Sequence, residues 1–413
     1  MKKYFLIPLF LFLSCGLLTP IDDPLGTVSV FRNTSTSGSI SSSSFATQVT
    51  FTTGSEPHSV SIGDLDGDGK MDLAVTNFSN PATVSVIRNT STSGSISSSS
   101  FASKVDFATG STPMSVSIGD LDGDGKMDLA VANDASNTVS VFRNTSTSGS
   151  ISSSSFASKV VFATGTNPFS VSIGDIDGDG KMDLAVANMS SSTVSVFRNT
   201  STSGSISSSS FASKVDFATG NTPTSVSIGD IDGDGKMDLA VANHGSSTVS
   251  VIRNTSSLGS ITTSSFATKV DFTTGSGPMS VSIGDLDGDG KMDLAVANRE
   301  SNAVSVFRNT STSGSISSSS FASKVDFATG SFPYSVSIGD LDGDGKMDLA
   351  VANASSKTVS VFRNTSTSGS ISSSSFATRV DFATGRTPMS VSIGDLDGDG
   401  KMDLAVANGD QGF

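Results

Sequence analysis

Along this chain apolar positions alternate with Ser and Thr in short runs, and no window carries apolar residues at helical spacing. One stretch makes the pattern plain. Ser115–Gly119 alternates and leads into an Asp-rich turn, and Asp128–Ala132 follows that turn. Thr138–Arg143 alternates again, with Val139, Val141 and Arg143 on one face, and Lys159–Phe162 closes the set after a Ser-rich loop. Short period-two runs bounded by Gly, Asp and Asn are strand signals. The stretch therefore predicts four strands and no helix.

The stretch recurs. The segment SVSIGDxDGDGKMDLAV occurs seven times, with its first Asp at Asp64, Asp120, Asp175, Asp230, Asp285, Asp340 and Asp395. Neighbouring copies lie 55 residues apart, except the first pair at 56, where the extra residue falls between Phe78 and Thr83. The register is permuted: the array enters on the third-strand sequence Thr27–Asn33 and runs out after the second-strand sequence Asp403–Ala407. Together these fragments complete one four-stranded unit. Sharing a unit between the termini closes a ring and leaves no free edge. The predicted fold is all-β, a seven-bladed β-propeller of four-stranded blades over residues 27–413. A linear cation-bound β-solenoid and a piece of a longer array are the alternatives; a solenoid is expected to show distinct capping repeats.

The TSTSGSISSSS stretch has the composition of a linker. Its recurrence at one place in every unit makes it a loop between strands three and four, with Ile40 and its equivalents tacking it down. The Phe that follows (Phe45, Phe101, Phe156, Phe211, Phe266, Phe321, Phe376) is expected to pack between blades, since a chain without Trp must take its bulk from Phe.

The Asp-rich turns carry the clearest chemistry. In the first, Asp64, Asp66, Asp68 and Asp72 occupy positions 1, 3, 5 and 9, with Gly67 and Gly69 at positions 4 and 6 where a tight loop needs unusual backbone freedom. The Lys70 carbonyl at position 7 can complete an all-oxygen set, which suits a hard cation, Ca²⁺ before Mg²⁺. The same positions recur as Asp120, Asp122, Asp124, Lys126 and Asp128; as Asp175, Asp177, Asp179, Lys181 and Asp183; and as Asp230, Asp232, Asp234, Lys236 and Asp238. They recur again as Asp285, Asp287, Asp289, Lys291 and Asp293; as Asp340, Asp342, Asp344, Lys346 and Asp348; and as Asp395, Asp397, Asp399, Lys401 and Asp403. Up to seven Ca²⁺ are therefore expected. Four unpaired carboxylates in one short loop repel one another without a cation.

Composition now falls into place. The chain of 413 residues holds 37 Asp and two Glu, and 28 of the Asp belong to these loops. The formal charge of −14 and a pI near 4.4 exclude a basic nucleic-acid surface. One Cys excludes a disulfide framework. That Cys follows Lys2, Lys3 and the apolar run Tyr4–Leu13, which is too short to span a bilayer and right for a signal-peptide core. Residues 1–14 are read as a signal peptide, and residues 15–26 as a lipidated Cys15 with a short tether. Phe12-Leu13-Ser14-Cys15-Gly16 resembles a bacterial lipobox with Phe in place of the usual Leu, which implies cleavage before Cys15 and acylation there. An ordinary secretory signal is the alternative. Cleavage removes Lys2 and Lys3 and takes the charge to −16, which seven Ca²⁺ would bring close to neutral.

The DxDxDGxxD loop ahead of DLAVAN resembles the FG-GAP or VCBS-type repeat, the repeat of the integrin alpha-subunit propeller, from about Val28 to Asn408. The resemblance implies a seven-bladed propeller with Ca²⁺ in the hairpin between strands one and two. It differs from integrins in carrying the full Asp set in every loop, and the other domains of an integrin chain are missing.

The seven units differ from one another in two places: the loop between strands two and three, and the blade-to-blade turn around Pro. Both belong on the face opposite the Asp loops. Met114, Phe169, Met279, Tyr334 and Met389, with Arg299 nearby, are expected to form a partner-binding surface there. The alternative is drift after duplication, with the residues after Pro packed toward the central channel. No enzyme is expected: His58 and His244 lie blades apart in variable loops, the Ser runs have no base, and Glu56 and Glu300 form no evident pair. The function expected is that of a calcium-stabilised surface lipoprotein, a monomer at the bacterial cell envelope or else secreted. It would bind a protein or a glycan and meet the membrane only through its lipid. A structural envelope scaffold is the alternative, with a propeller hydrolase or lyase further behind.

Overall fold

In the computed structural model, residues 26–409 are described, and Cys15 with its signal lies outside them. The chain forms seven four-stranded antiparallel sheets. The first complete blade runs Pro57–Gly63, Asp72–Asn77, Thr83–Ile87 and Val105–Ala108, each strand pairing with the next. The closing blade joins Pro388–Gly394 and Asp403–Asn408 to Thr27–Phe31 and Val49–Thr52, with Val28 opposite Ala407 and Val30 opposite Ala405. The permuted register thus seals the ring. Among the described residues no helix is long and apolar enough to cross a membrane.

The innermost strands touch around the whole circle, the last packing against the first. Two features of SVSIG explain their closeness. A Cβ on Gly63 would sit 2.9 Å from Ile118 of the next blade, and one on Gly394 would sit 2.9 Å from Ile62, so only Gly fits at that level. The first Ser of each copy accepts a long hydrogen bond from a Val amide of the next blade, as Ser59 does from Val116 at 3.5 Å and Ser390 from Val60 at 3.3 Å. The DLAVAN strands lie one layer out and are buried at all six positions. Apolar clusters fill each blade-to-blade seam; one gathers Val28, Val60, Leu73 and Ile87 with Phe51 and Phe101. The expected Phe packing is present in every seam as edge-to-face pairs, from Phe51–Phe101 at 4.8 Å to Phe45–Phe382 at 5.1 Å. Such pairs add about 0.5–1.5 kcal/mol each beyond the area they bury.

The third strand ends one residue earlier than the alternation suggests. Thr138–Phe142 is extended, and Arg143 turns out of the ladder toward the Asp loop.

Candidate metal centres

Each Asp loop links the first and second strands of its blade, and its shape is set by its own amides. Asp64 accepts from Gly67 and Asp68 through Oδ1 and from Gly69 through Oδ2. Gly67 and Gly69 take φ of +69° and +85°, and no heavy atom crowds either, so these glycines serve backbone conformation and not space. The last carboxylate is the most buried. Asp72 is fully shielded, with Oδ2 accepting from the Leu65 amide at 3.0 Å and Oδ1 from the Asn89 amide at 2.7 Å. Burial pushes its carboxyl up to about 7, partly offset by the Asn89 amide. The equivalents Asp128, Asp183, Asp238, Asp293, Asp348 and Asp403 are raised to about 7 for the same reason.

Carboxylate oxygens from three acids of a loop lie within 4.8 Å of one another, as at Asp64, Asp66 and Asp72 or at Asp285, Asp287 and Asp289. Two oxygens on one ion at about 2.4 Å are at most about 4.8 Å apart. The buried oxygens Asp175 Oδ1, Asp177 Oδ2 and Asp287 Oδ2 have no hydrogen-bond partner, and Arg198 and Arg308 offset the charge of Asp177 and Asp287 only from a distance, which leaves room for a cation to satisfy them. The donor set fits a divalent ion held by oxygen. Of the position-7 residues, Lys70 turns its ammonium away to the Ser91 carbonyl at 2.8 Å.

Three partners of these loops escaped the sequence reading. The first is the Arg after the third strand. Arg88 spans Asp66 Oδ2 at 2.5 Å and Asp68 Oδ2 at 2.8 Å, and Arg32, Arg143, Arg253 and Arg363 make the same fork. The second is the Asn beside it. Asn89 Nδ2 donates to the carbonyls of Met71 in its own loop and Leu396 in the loop of the preceding blade. The third is the Ser-rich segment, which straps onto that preceding loop: Ser91 Oγ donates to Leu396, Ser93 Oγ to Gly398, and the Gly94 amide to Asp397. Each loop is thus held by its own blade and the next. The invariant Arg-Asn pair in all seven units was the available signal.

On the opposite face Met114, Phe169, Met279, Tyr334 and Met389 pack toward the central channel, the alternative placement for the residues after Pro. With His58 and Thr224 they line one cavity at the mouth of the central channel, where Met114, Met279 and Met389 are buried and Phe169 and Tyr334 half-buried. They open the innermost strand, so the ring closes over them. Arg299 does not line this cavity; its guanidinium lies 4.9 Å above Phe332, and its charge reaches the Tyr334 hydroxyl. His58 and His244 remain separate: His58 packs edge-on to Phe169 and Tyr334, while His244 lies 3.7 Å from Glu300. Burial lowers His58 to about 4 and raises the Tyr334 hydroxyl to about 12.

Seven repeated oxygen-ligand loops on a closed ring define a β-propeller with built-in candidate cation sites. The chain belongs to the FG-GAP-like repeat family, matching it over residues 17–75, 64–131, 120–186, 175–241, 232–296, 285–351 and 340–406. No curated protein matches it. Among solved structures it is similar to a candidate 6-phosphogluconolactonase of Bacteroides fragilis, at 16% identity and a TM-score of 0.57 over 90% of this chain and 98% of that one. It is also similar to a lectin of Agrocybe aegerita that recognises non-reducing terminal N-acetylglucosamine (17%, 0.52, over 93% and 95%). A third is a Desulfotomaculum acetoxidans protein of unknown function (13%, 0.50, over 87% and 99%). At these identities the likeness is one of fold.

Proposed function

We propose that this chain is a calcium-stabilised extracellular binding module, tethered to a bacterial envelope through Cys15, that offers a protein or glycan partner a groove repeated between its blades. Calcium is favoured over magnesium because a crowded, carboxylate-rich loop suits a large ion of flexible coordination. The observation that carries the reading is the groove between neighbouring Asp loops. One wall is Asp64–Gly67, the other Gly125–Met127, and Asn144, Ser146 and Ser148 line it, enclosing about 300 Å³. Met127 is 38% exposed, and the equivalent Met of every other unit is similarly open. A thioether beside carboxylate, ammonium and hydroxyl groups suits a ligand with an apolar face and polar edges, such as a sugar ring. The corresponding groove between Asp175–Gly178 and Asp234–Met237 widens to about 430 Å³ beside Leu258, the most exposed large apolar side chain described. The lectin of similar fold supports the glycan class.

A glycan array and a pull-down from envelope extracts, each with and without chelator, test this. Retention should require calcium and should fall when all seven loop methionines are changed to Glu. Retention indifferent to both would sink the reading, and cross-linking only to the cell's own envelope would favour a scaffold. Palmitate labelling that disappears in Cys15→Ala tests the tether.

A further inference from the structure

The channel mouth on the opposite face carries chemistry that the Asp loops do not use. His58 is 7% exposed and its Nδ1 lies 2.7 Å from the Met114 carbonyl, so Nδ1 carries the proton and Nε2 the lone pair. Nε2 is buried and has no hydrogen-bond partner. The edges and faces of Phe169 and Tyr334, at 5.4 and 5.7 Å, fix the plane of the imidazole. A histidine whose other nitrogen donates to a backbone carbonyl is the usual arrangement of a metal ligand. The same cavity is lined by Met114 and Met389, which sit on the blades flanking His58, and by Met279 from across the ring.

We propose that this mouth binds one soft monovalent cation of the Cu(I) class, with His58 Nε2 as nitrogen ligand and the thioethers of Met114, Met279 and Met389 as sulfur ligands. Three arguments select the ion. Thioether and imidazole donors suit Cu(I) over hard cations. The lining holds no carboxylate or thiolate, so nothing there offsets the charge of a divalent ion taken out of water. The space is small, about 100 Å³, which suits an ion.

The test is titration of the calcium-loaded full chain with Ag(I), or with Cu(I) in the absence of oxygen, against a chromophoric chelator. One equivalent should bind, with an X-ray absorption signature of one nitrogen and three sulfurs. Affinity should fall by at least about tenfold in His58→Phe and in Met389→Leu, whose shapes are close to the originals. Both variants should keep their calcium stoichiometry and melting temperature, which separates loss of the site from loss of the fold. Absence of a saturable equivalent overturns the proposal. So does binding unchanged in His58→Phe, because it would assign the ion to the exposed methionines of the Asp face.

Discussion

Raising the pH of the metal-free protein should destabilise it, and calcium should abolish that dependence. The groups responsible are Asp72 and its six equivalents. In the folded chain burial lifts the Asp72 carboxyl from its ordinary 3.8 to about 7. An acid raised in this way keeps its proton longer folded than unfolded, so the folded state binds more protons between those values and loses stability as pH climbs through them. The displacement corresponds to about 4 kcal/mol per loop at neutral pH. One or two loops at that cost are already a large part of the roughly 5–15 kcal/mol that holds a whole domain together, so ionising the empty loops works against the fold. Calcium binds the ionised form and so competes with the proton, which removes this fall over the same window, where the unfolded carboxylates hold almost no protons. Thermal unfolding followed by circular dichroism from about pH 4.5 to about pH 7.5, in chelator and in millimolar calcium, reads both slopes. Melting temperature should fall with pH in chelator, and that fall should be lost in calcium. A chelator series that is flat or rising refutes the reasoning.

Other perturbations address the ring and its straps. Gly119→Ala puts a Cβ 2.9 Å from Ile173 and should cost about 1–3 kcal/mol in urea unfolding, while Gly174→Ala, at 3.1 Å from Ile228, should cost less. Asn89→Ala removes a donor from the Met71 and Leu396 carbonyls and the acceptor of the Ser91 amide, so it should cost about 1–3 kcal/mol. It should also weaken calcium at two neighbouring loops, resolved by calorimetry, leaving the others unchanged. Arg88→Met removes the fork on Asp66 and Asp68 and should lower the melting temperature more in chelator than in calcium, since the cation takes over the neutralising charge.

The strands, the closing blade and the cation loops were legible because each is written seven times in local pattern: alternation, permuted register and Asp at fixed spacing. The channel plug was not. Whether the residue after Pro faces solvent or axis depends on how tightly seven innermost strands close. That radius is fixed by Gly63 meeting Ile118 of another blade, which no single unit displays. The Ser-rich strap was recognisable as a loop, but its partners are the carbonyls of Leu396, Asp397 and Gly398, about 300 residues from Ser91 and Gly94. Arg143 looked like one more position of an alternating strand. Its attraction to Asp122 becomes visible only when the hairpin brings the two within 2.7 Å.

Each of the seven loops brings together acids able to hold one ion. Native mass spectrometry of the calcium-loaded chain, with calorimetry for affinity, counts the bound ions directly. Close to seven Ca²⁺ per chain, lost one at a time as Asp72 and its equivalents are changed to Asn, is the result predicted for the acid clusters seen here. One or two Ca²⁺ per chain would contradict it.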